Sequence, residues 1–439
     1  MRILYFSRDY TTHDRRFLQE LAKTEHKVYF LQLERRGHTL EDRPLPMEIE
    51  QLHWAGGRAP ARLRDGPRLL PDLKRVIRQV KPDLIQAGPL QRAAFLAALT
   101  GFHPLLSMSW GYDLLVDANQ NAAWRWATRF TLKHSDAMVG DCQTIRQLAV
   151  AYGMPDERIV TFPWGIDLEH FAPLSAPEYT KGEGDSAKVG PEAGFLHSPD
   201  PTFPPPFVIL STRGWESIYG VDIIARAFVT AARQCAELQL IMLGNGSLAT
   251  TLRQMFAKGN VEEQVVFPGQ VKYSELPRYY QLADLYVSAS HSDGSSISLL
   301  EAMACGKPVL VSDIPGNREW VPPYTPLSPE SSFARSPSPL KGKGENAGNF
   351  GILGSNAAQN TKISEFPPPL PLEGGDVGWL FPDGDADALA QAILHAVEQR
   401  HRLPEMGRRA RALAEERADW SKNFPNLFKA YDIALSRSN

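Results

Sequence analysis

The stretch Asp293-Gly-Ser-Ser-Ile-Ser-Leu-Leu-Glu301-Ala-Met-Ala-Cys-Gly-Lys-Pro-Val-Leu-Val-Ser312 decides how the rest of the chain reads. Small residues open it, a helical run follows, Gly306-Lys-Pro ends that run, and Val309-Leu-Val311 is an apolar strand. A bend of small residues at a helix mouth leaves backbone N–H groups unpaired. It also aims the positive end of the helix dipole at the bend, which suits a phosphate. The carboxylates of Asp293 and Glu301 flank that mouth, placed to accept hydrogen bonds from sugar or ribose hydroxyls.

Working outward, strand-like and helix-like segments alternate on both sides of this unit. Ile3–Ser7, Lys27–Leu33, Asp83–Gln86, Leu105–Ser109 and Ala137–Gly140 read as strands in the first 165 residues. Phe207–Ser211, Leu238–Leu243, Val265–Phe267 and Leu285–Ser288 form a second series. Such alternation predicts an α/β fold: two Rossmann-like, doubly wound domains facing a central cleft, with ligands at the carboxyl ends of the strands. Expected bounds are 1–165 with a returning helix at 420–439 for the first domain, and 166–419 for the second. Residues 173–206 and 322–377 are rich in Pro, Gly and Ser and lack periodicity, so they are expected to be disordered insertions. They share Lys-Gly and Phe-Pro-Pro-Pro pieces (Phe203 and Phe366 begin the latter), which suggests one repeated element.

Length and composition bound the function classes. A chain of 439 residues with 43% hydrophobic and 22% charged residues is that of a globular protein of two or three domains. A net charge of −3 gives no general attraction to nucleic acid. Cys142, Cys235 and Cys305 lie far apart without metal-ligand spacing, which suggests a reducing compartment and no metal site. No apolar run is long enough to span a bilayer, and the first strand is too short for a signal peptide. The expected location is therefore the cytoplasm. Residues 58–81 hold eight Lys or Arg against two Asp, with apolar residues between them. That pattern fits peripheral contact with the anionic inner face of a membrane, or an ordinary solvated helix face over the sheet.

The stretch 293–312 with Ser312-Asp-Ile-Pro-Gly-Asn-Arg-Glu-Trp320 resembles the donor site of the family-four retaining glycosyltransferases of the GT-B fold. Three more segments agree: Asp156 to Phe171, Leu243-Gly-Asn-Gly-Ser-Leu248 and Gly378-Trp-Leu-Phe-Pro-Asp-Gly-Asp385. The resemblance implies transfer of a sugar from a nucleotide-diphosphate sugar to an acceptor hydroxyl of a glycan or a lipid-linked acceptor. It implies no cofactor and no metal. By the same resemblance Glu301 grips the ribose and Asp293 contacts the donor sugar. The backbone at Ser296, Ile297 and Ser298 binds the distal phosphate, Gly294 and Ser295 belong to the same nucleotide-sugar site, and Gly244, Asn245 and Gly246 form its glycine turn. Arg213 neutralises the diphosphate. Tyr219 stands where relatives carry a second cation, and Trp110 stands where many carry His. Asp113 is expected to position a sugar hydroxyl or hold its loop, and His13 to lie near donor phosphate or acceptor. Two other readings stay open: a nucleotide-sugar epimerase of the same fold, and a non-catalytic sugar-nucleotide-binding protein.

Overall fold

In the computed structural model, which describes residues 1–35, 44–57, 61, 65–174, 205–321 and 377–437, the chain builds two parallel sheets. The first contains β1 (Arg2–Ser7), β2 (Lys27–Gln32), β3 (Glu50–Gln51), β4 (Leu84–Gly88), β5 (Leu105–Met108), β6 (Ala137–Gly140) and β7 (Ile159–Thr161), in the order β3-β2-β1-β4-β5-β6-β7. Ile3, Leu4, Tyr5 and Phe6 are consecutive and all buried, as a strand covered on both faces requires. The cover comes from α1 (Thr12–Ala22), α2 (Gly66–Val80), α3 (Ala93–Leu99), α4 (Tyr112–Leu115), α5 (Ala122–Lys133) and α6 (Gln143–Ala151). Helix α1 opens with a reciprocal capping box between Thr11 and Asp14.

The second sheet contains β8 (Phe207–Ser211), β9 (Leu238–Leu243), β10 (Val265–Gly269), β11 (Leu285–Ser288), β12 (Val309–Ser312) and β13 (Gly378–Phe381), ordered β10-β9-β8-β11-β12-β13. Around it lie α7 (Val221–Ala232), α8 (Ala249–Gly259), α9 (Leu276–Leu282), α10 (Ile297–Ala304), α11 (Pro315–Arg318), α12 (Ala386–Glu398) and α13 (Leu403–Arg417). The chain then returns through α14 (Trp420–Asn423) and α15 (Asn426–Arg437) to the first sheet. There Trp420, Phe424, Leu427 and Tyr431 join the core of Ile3, Tyr5 and Phe17. The crossing is a short backbone pairing: Ile166 N donates to Ala418 O at 2.7 Å and Trp420 N to Ile166 O at 3.1 Å. A Cβ on Gly165 would sit 2.2 Å from Ala418 O, so only glycine permits this approach.

Each sheet reverses direction once, between β1 and β4 and between β8 and β11. Ligands of open parallel sheets bind outside such switch points. Arg213 leaves the end of β8, and the bend 293–296 leaves the end of β11, so the fold delivers both to one crevice.

Two expectations need comment here. Leu69, Leu73, Val76, Ile77 and Val80 of α2 are buried against the first sheet. That apolar stripe is core, so the lipid-facing reading of 58–81 loses its apolar face within α2. Arg58, Arg62 and Arg64 lie outside the described residues. The expected disorder and repetition of 173–206 and 322–377 also fall outside them, except at residues 173, 174, 205, 206 and 377, the described edges. No described helix is long and apolar enough to cross a membrane.

Candidate functional site

Arg213 organises the mouth of α10. Its Nη1 donates to Ser296 Oγ at 3.0 Å and Ser298 Oγ at 3.1 Å. Its Nη2 pairs with Asp293 Oδ2 at 2.8 Å, and its guanidinium lies 4.1 Å from the centre of the Tyr219 ring. Burial disfavours the charge, but Asp293 and the surrounding tyrosines outweigh it and raise the pKa, so Arg213 stays a cation. Tyr219 is the face on which Arg213 stacks. Glu216, three residues after Arg213, accepts from Ser247 N and Oγ. Ser296 is the N-cap of α10, yet its hydroxyl caps no backbone group. The first-turn amides of α10 therefore have no side-chain cap.

Glu301 sits one turn further along α10, only 7% exposed. It accepts from Tyr280 Oη at 2.8 Å, and Tyr280 Oη in turn shares a hydrogen bond with Thr212 Oγ1 at 3.1 Å. Burial pushes the Glu301 carboxyl up to about 7, against the pull of Tyr280, Arg16 and Arg213. Glu301, Arg213, Thr212, Ile297, Gly244 and Gln270 line one cavity of about 400 Å³. Gly244 must be glycine: its φ is +101°, and a Cβ would lie 3.0 Å from Arg213 O. Asn245 and Gly246 are not part of this wall; Asn245 Oδ1 accepts from Gly246 N at 2.8 Å. A larger surface groove of about 770 Å³ lies among α7, α8 and the start of α12. Its Arg226, Arg233 and Lys258 face Asp383, Asp385 and Asp387, so it carries no net charge to select a ligand.

The first domain faces this mouth with an aromatic cluster. Trp110 lies 5.3 Å from His13 and 4.7 Å from Trp164 between ring centres, with Phe17 behind them. Burial, then Arg16 and Arg213, lower the His13 pKa to about 3, so its imidazole is neutral at physiological pH. Asp113 is buried and accepts from Ser109 Oγ at 2.6 Å, Leu90 N at 2.9 Å and Leu114 N at 3.0 Å. It ties the loop after β4 to α4.

Three residues were missed in the sequence. Asp141, directly after β6, accepts from Ser295 N at 2.8 Å, while Ser295 Oγ donates to Asp141 O at 3.0 Å. The bend of the second domain is thus held by the first. Burial, then Asp293, push the Asp141 carboxyl up to about 6 against the pull of Ser295 N. Glu319 accepts from Gln143 N at 3.0 Å and Thr144 N at 2.9 Å, capping α6 from the opposite domain. Arg16, on α1, lies over the Trp420 ring, 5.0 Å from its centre. A carboxylate at a strand's carboxyl end was a usable signal for Asp141; Glu319 had none, because its partners are distant in sequence.

The buried acids predict a pH dependence. Asp14, Asp113 and Asp141 are raised to about 6 and Glu301 to about 7, in each case chiefly by burial. Between about pH 4 and pH 7 the folded chain therefore holds protons that the unfolded chain has released, and stability rises as pH falls. His13, lowered to about 3, works the other way below its ordinary value. Four acids outweigh one histidine, so the urea midpoint should be higher at pH 5.5 than at pH 7.5. A lower midpoint at pH 5.5 would contradict this accounting.

Comparison with known proteins adds the following. Residues 199–325 match the family Glycosyl transferases group 1, and residues 11–170 match Glycosyltransferase Family 4. An alpha-monoglucosyldiacylglycerol synthase of Streptococcus pneumoniae is 25% identical over 191 residues, 44% of this chain and 40% of that protein. A GDP-mannose-dependent alpha-(1-6)-phosphatidylinositol monomannoside mannosyltransferase of Mycolicibacterium smegmatis is 25% identical over 244 residues, 54% of this chain and 59% of that protein. The chain thus matches about two-fifths to three-fifths of the length of these curated relatives. Among solved structures, Anabaena HepE in complex with UDP superposes with a TM-score of 0.69 at 16% identity, covering 98% of this chain and 100% of that one. Sucrose-phosphate synthase of Thermosynechococcus elongatus superposes with a TM-score of 0.66 at 15% identity, covering 100% of both chains. Two parallel α/β sheets across a cleft are the GT-B architecture.

Proposed function

We propose that this chain, which belongs to the family-four glycosyltransferases of group 1, moves a sugar from a nucleotide-diphosphate sugar to an acceptor hydroxyl with retention of configuration and without a metal. The observation that carries the reading is one cavity shared by Arg213, the uncapped mouth of α10 and the buried Glu301. The ribose hydroxyls donate to Glu301. The diphosphate meets the first-turn amides of α10 and the Arg213 guanidinium, whose fork of donors suits phosphate oxygens.

The chemistry asks for little beyond this. The bond from the anomeric carbon to the phosphate oxygen breaks, and negative charge builds on the departing diphosphate. Fixed N–H dipoles and one guanidinium stabilise that charge without reorganising. The acceptor oxygen attacks from the same face, and its proton passes to the departing phosphate oxygen. No protein nucleophile is required, and a neutral His13 and a packed Trp110 are compatible with that route. Asp293 fixes Arg213 in the ground state and reaches the donor sugar when the diphosphate competes for the guanidinium.

The acceptor is a glycan or a lipid-linked sugar. The names of the two bacterial relatives, one a synthase of a glucosyl diacylglycerol and one a mannosyltransferase of a phosphatidylinositol mannoside, support a lipid acceptor. Peripheral contact with an anionic membrane is supported by the exposed Arg68, Lys74, Arg75 and Arg78 of α2, as electrostatic attraction alone.

The division of labour is testable by calorimetric titration with nucleoside diphosphates and by donor turnover. Glu301→Ala should weaken nucleoside diphosphate binding by roughly 10-fold or more, the loss of charged hydrogen bonds. Asp293→Ala should leave that affinity unchanged or raise it, because Arg213 is released, while turnover falls. Equal nucleotide affinity in wild type and Glu301→Ala would remove Glu301 from the site. Release of free nucleoside diphosphate from the sugar donor separates a transferase from an epimerase, which returns an isomer, and from a binding protein, which returns neither.

A further inference from the structure

Resting on that reading, we propose that Arg16 is a second phosphate ligand, closing on the diphosphate of the bound nucleotide from the domain opposite Arg213. The need for one follows from charge. The Arg213 guanidinium is already paired with Asp293 at 2.8 Å, so the mouth of α10 has almost no net side-chain charge of its own. A diphosphate brings more than one negative charge to it. Tyr219, stacked under Arg213, adds none.

Arg16 has the right position and is uncommitted. Asp14, Phe17, Leu18 and Leu21 are the buried side of α1, so the rotation of that helix is fixed by its core. Arg16 then lies against the ring of Trp420, its guanidinium 5.0 Å from the ring centre. Trp420 is itself anchored by the backbone pairing with Ile166. With Asp167 and Tyr273, Arg16 lines an opening of about 640 Å³ between α1 and the second domain. Among the described residues its guanidinium makes no ion pair and donates no hydrogen bond. Arg16 and Arg213 are the two guanidinium groups that act electrostatically on Glu301, and both also act on His13. Ile297, the first residue of α10 and part of the wall of the Arg213 cavity, packs against the same cluster as Trp420, so Arg16 over Trp420 approaches the mouth of α10 from the first domain. Stacking on Trp420 leaves the edge donors of the guanidinium free for phosphate oxygens.

The experiment is calorimetric titration of the full chain with UDP, GDP, uridine and guanosine, using wild type, Arg16→Ala, Arg16→Lys and Arg213→Ala. Arg16→Ala should lower affinity for the preferred nucleoside diphosphate by roughly 10-fold and leave the matching nucleoside unchanged. Arg16→Lys should recover part of the loss, because a point charge replaces a fork. If Arg16→Ala binds diphosphate as wild type does while Arg213→Ala does not, the proposal fails and the nucleotide site stands. If diphosphate and nucleoside weaken equally in Arg16→Ala, Arg16 only braces the interface, and the proposal fails again. If wild type binds no nucleoside diphosphate, or Arg213→Ala binds it undiminished, the underlying reading falls together with this one.

Discussion

Arg213→Ala should reduce kcat by about 10²–10³-fold, the usual loss when one fixed donor to a developing charge is removed. Three features make this position costly. The guanidinium holds Ser296 and Ser298, so it shapes the mouth it serves. It compensates Asp293, which without it is a part-buried carboxylate beside the raised Asp141. It also lies in the cavity wall with Glu301. Arg213→Lys should recover little, because an ammonium cannot stack flat on Tyr219 while also spanning two serines and a carboxylate. Steady-state kinetics with the nucleotide-sugar donor check both variants. Circular dichroism at matched concentration confirms that each is folded. Retention of more than a tenth of wild-type kcat in Arg213→Ala would exclude this guanidinium from charge stabilisation.

Much of the site was legible because it is local. The bend, the helix and the strand from Asp293 to Ser312 are contiguous, and the small residues before an apolar run specify a helix mouth without outside help. The strands were legible too, since a strand buried on both faces reads as an unbroken apolar run such as Ile3-Leu4-Tyr5-Phe6. What sequence could not supply is the identity of partners. Asp141 meets Ser295 across 154 residues, and Glu319 meets Thr144 across 175. Periodicity showed that α2 has an apolar face but not what covers it, so core and membrane remained equivalent until the sheet was seen. Asp113 is similar: a carboxylate at a strand end can hold a sugar or hold a loop, and its donor Leu90 N, 23 residues away, is visible only in the fold. Tyr219 was legible only as a missing cation, whereas its ring face carries the Arg213 guanidinium. The twelve-residue α5 was not legible as an apolar run, because the side it buries holds Thr128 and Thr131 beside Leu132.

Gly294→Ala should lower kcat/KM by roughly 30–150-fold with little change in thermal midpoint. A Cβ at this position would lie 2.3 Å from Asp141 Oδ2 and 2.7 Å from Oδ1. The bend cannot retreat freely, because Gly316 packs behind it so tightly that a Cβ there would meet Gly294 O at 2.4 Å. Backbone strain is not the cause, since Gly294 does not have a positive φ. The clash is between domains, so it is relieved by separating them and leaves each core as it was. Overpacking of this kind costs about 2–3 kcal/mol. Charged to the closed arrangement alone, that depopulates it roughly 30- to 150-fold, and turnover follows the closed fraction. Removing the obstructing carboxylate is the decisive control. Asp141→Ala alone should lose activity, because Ser295 N loses its acceptor, yet the same change in a Gly294→Ala background should raise activity. Such a reversal of sign is the mark of two residues in direct contact. If Asp141→Ala further weakens the Gly294→Ala protein, steric conflict between the domains is not what glycine at 294 avoids, and the contact between the bend and β6 has no part in closing the cleft.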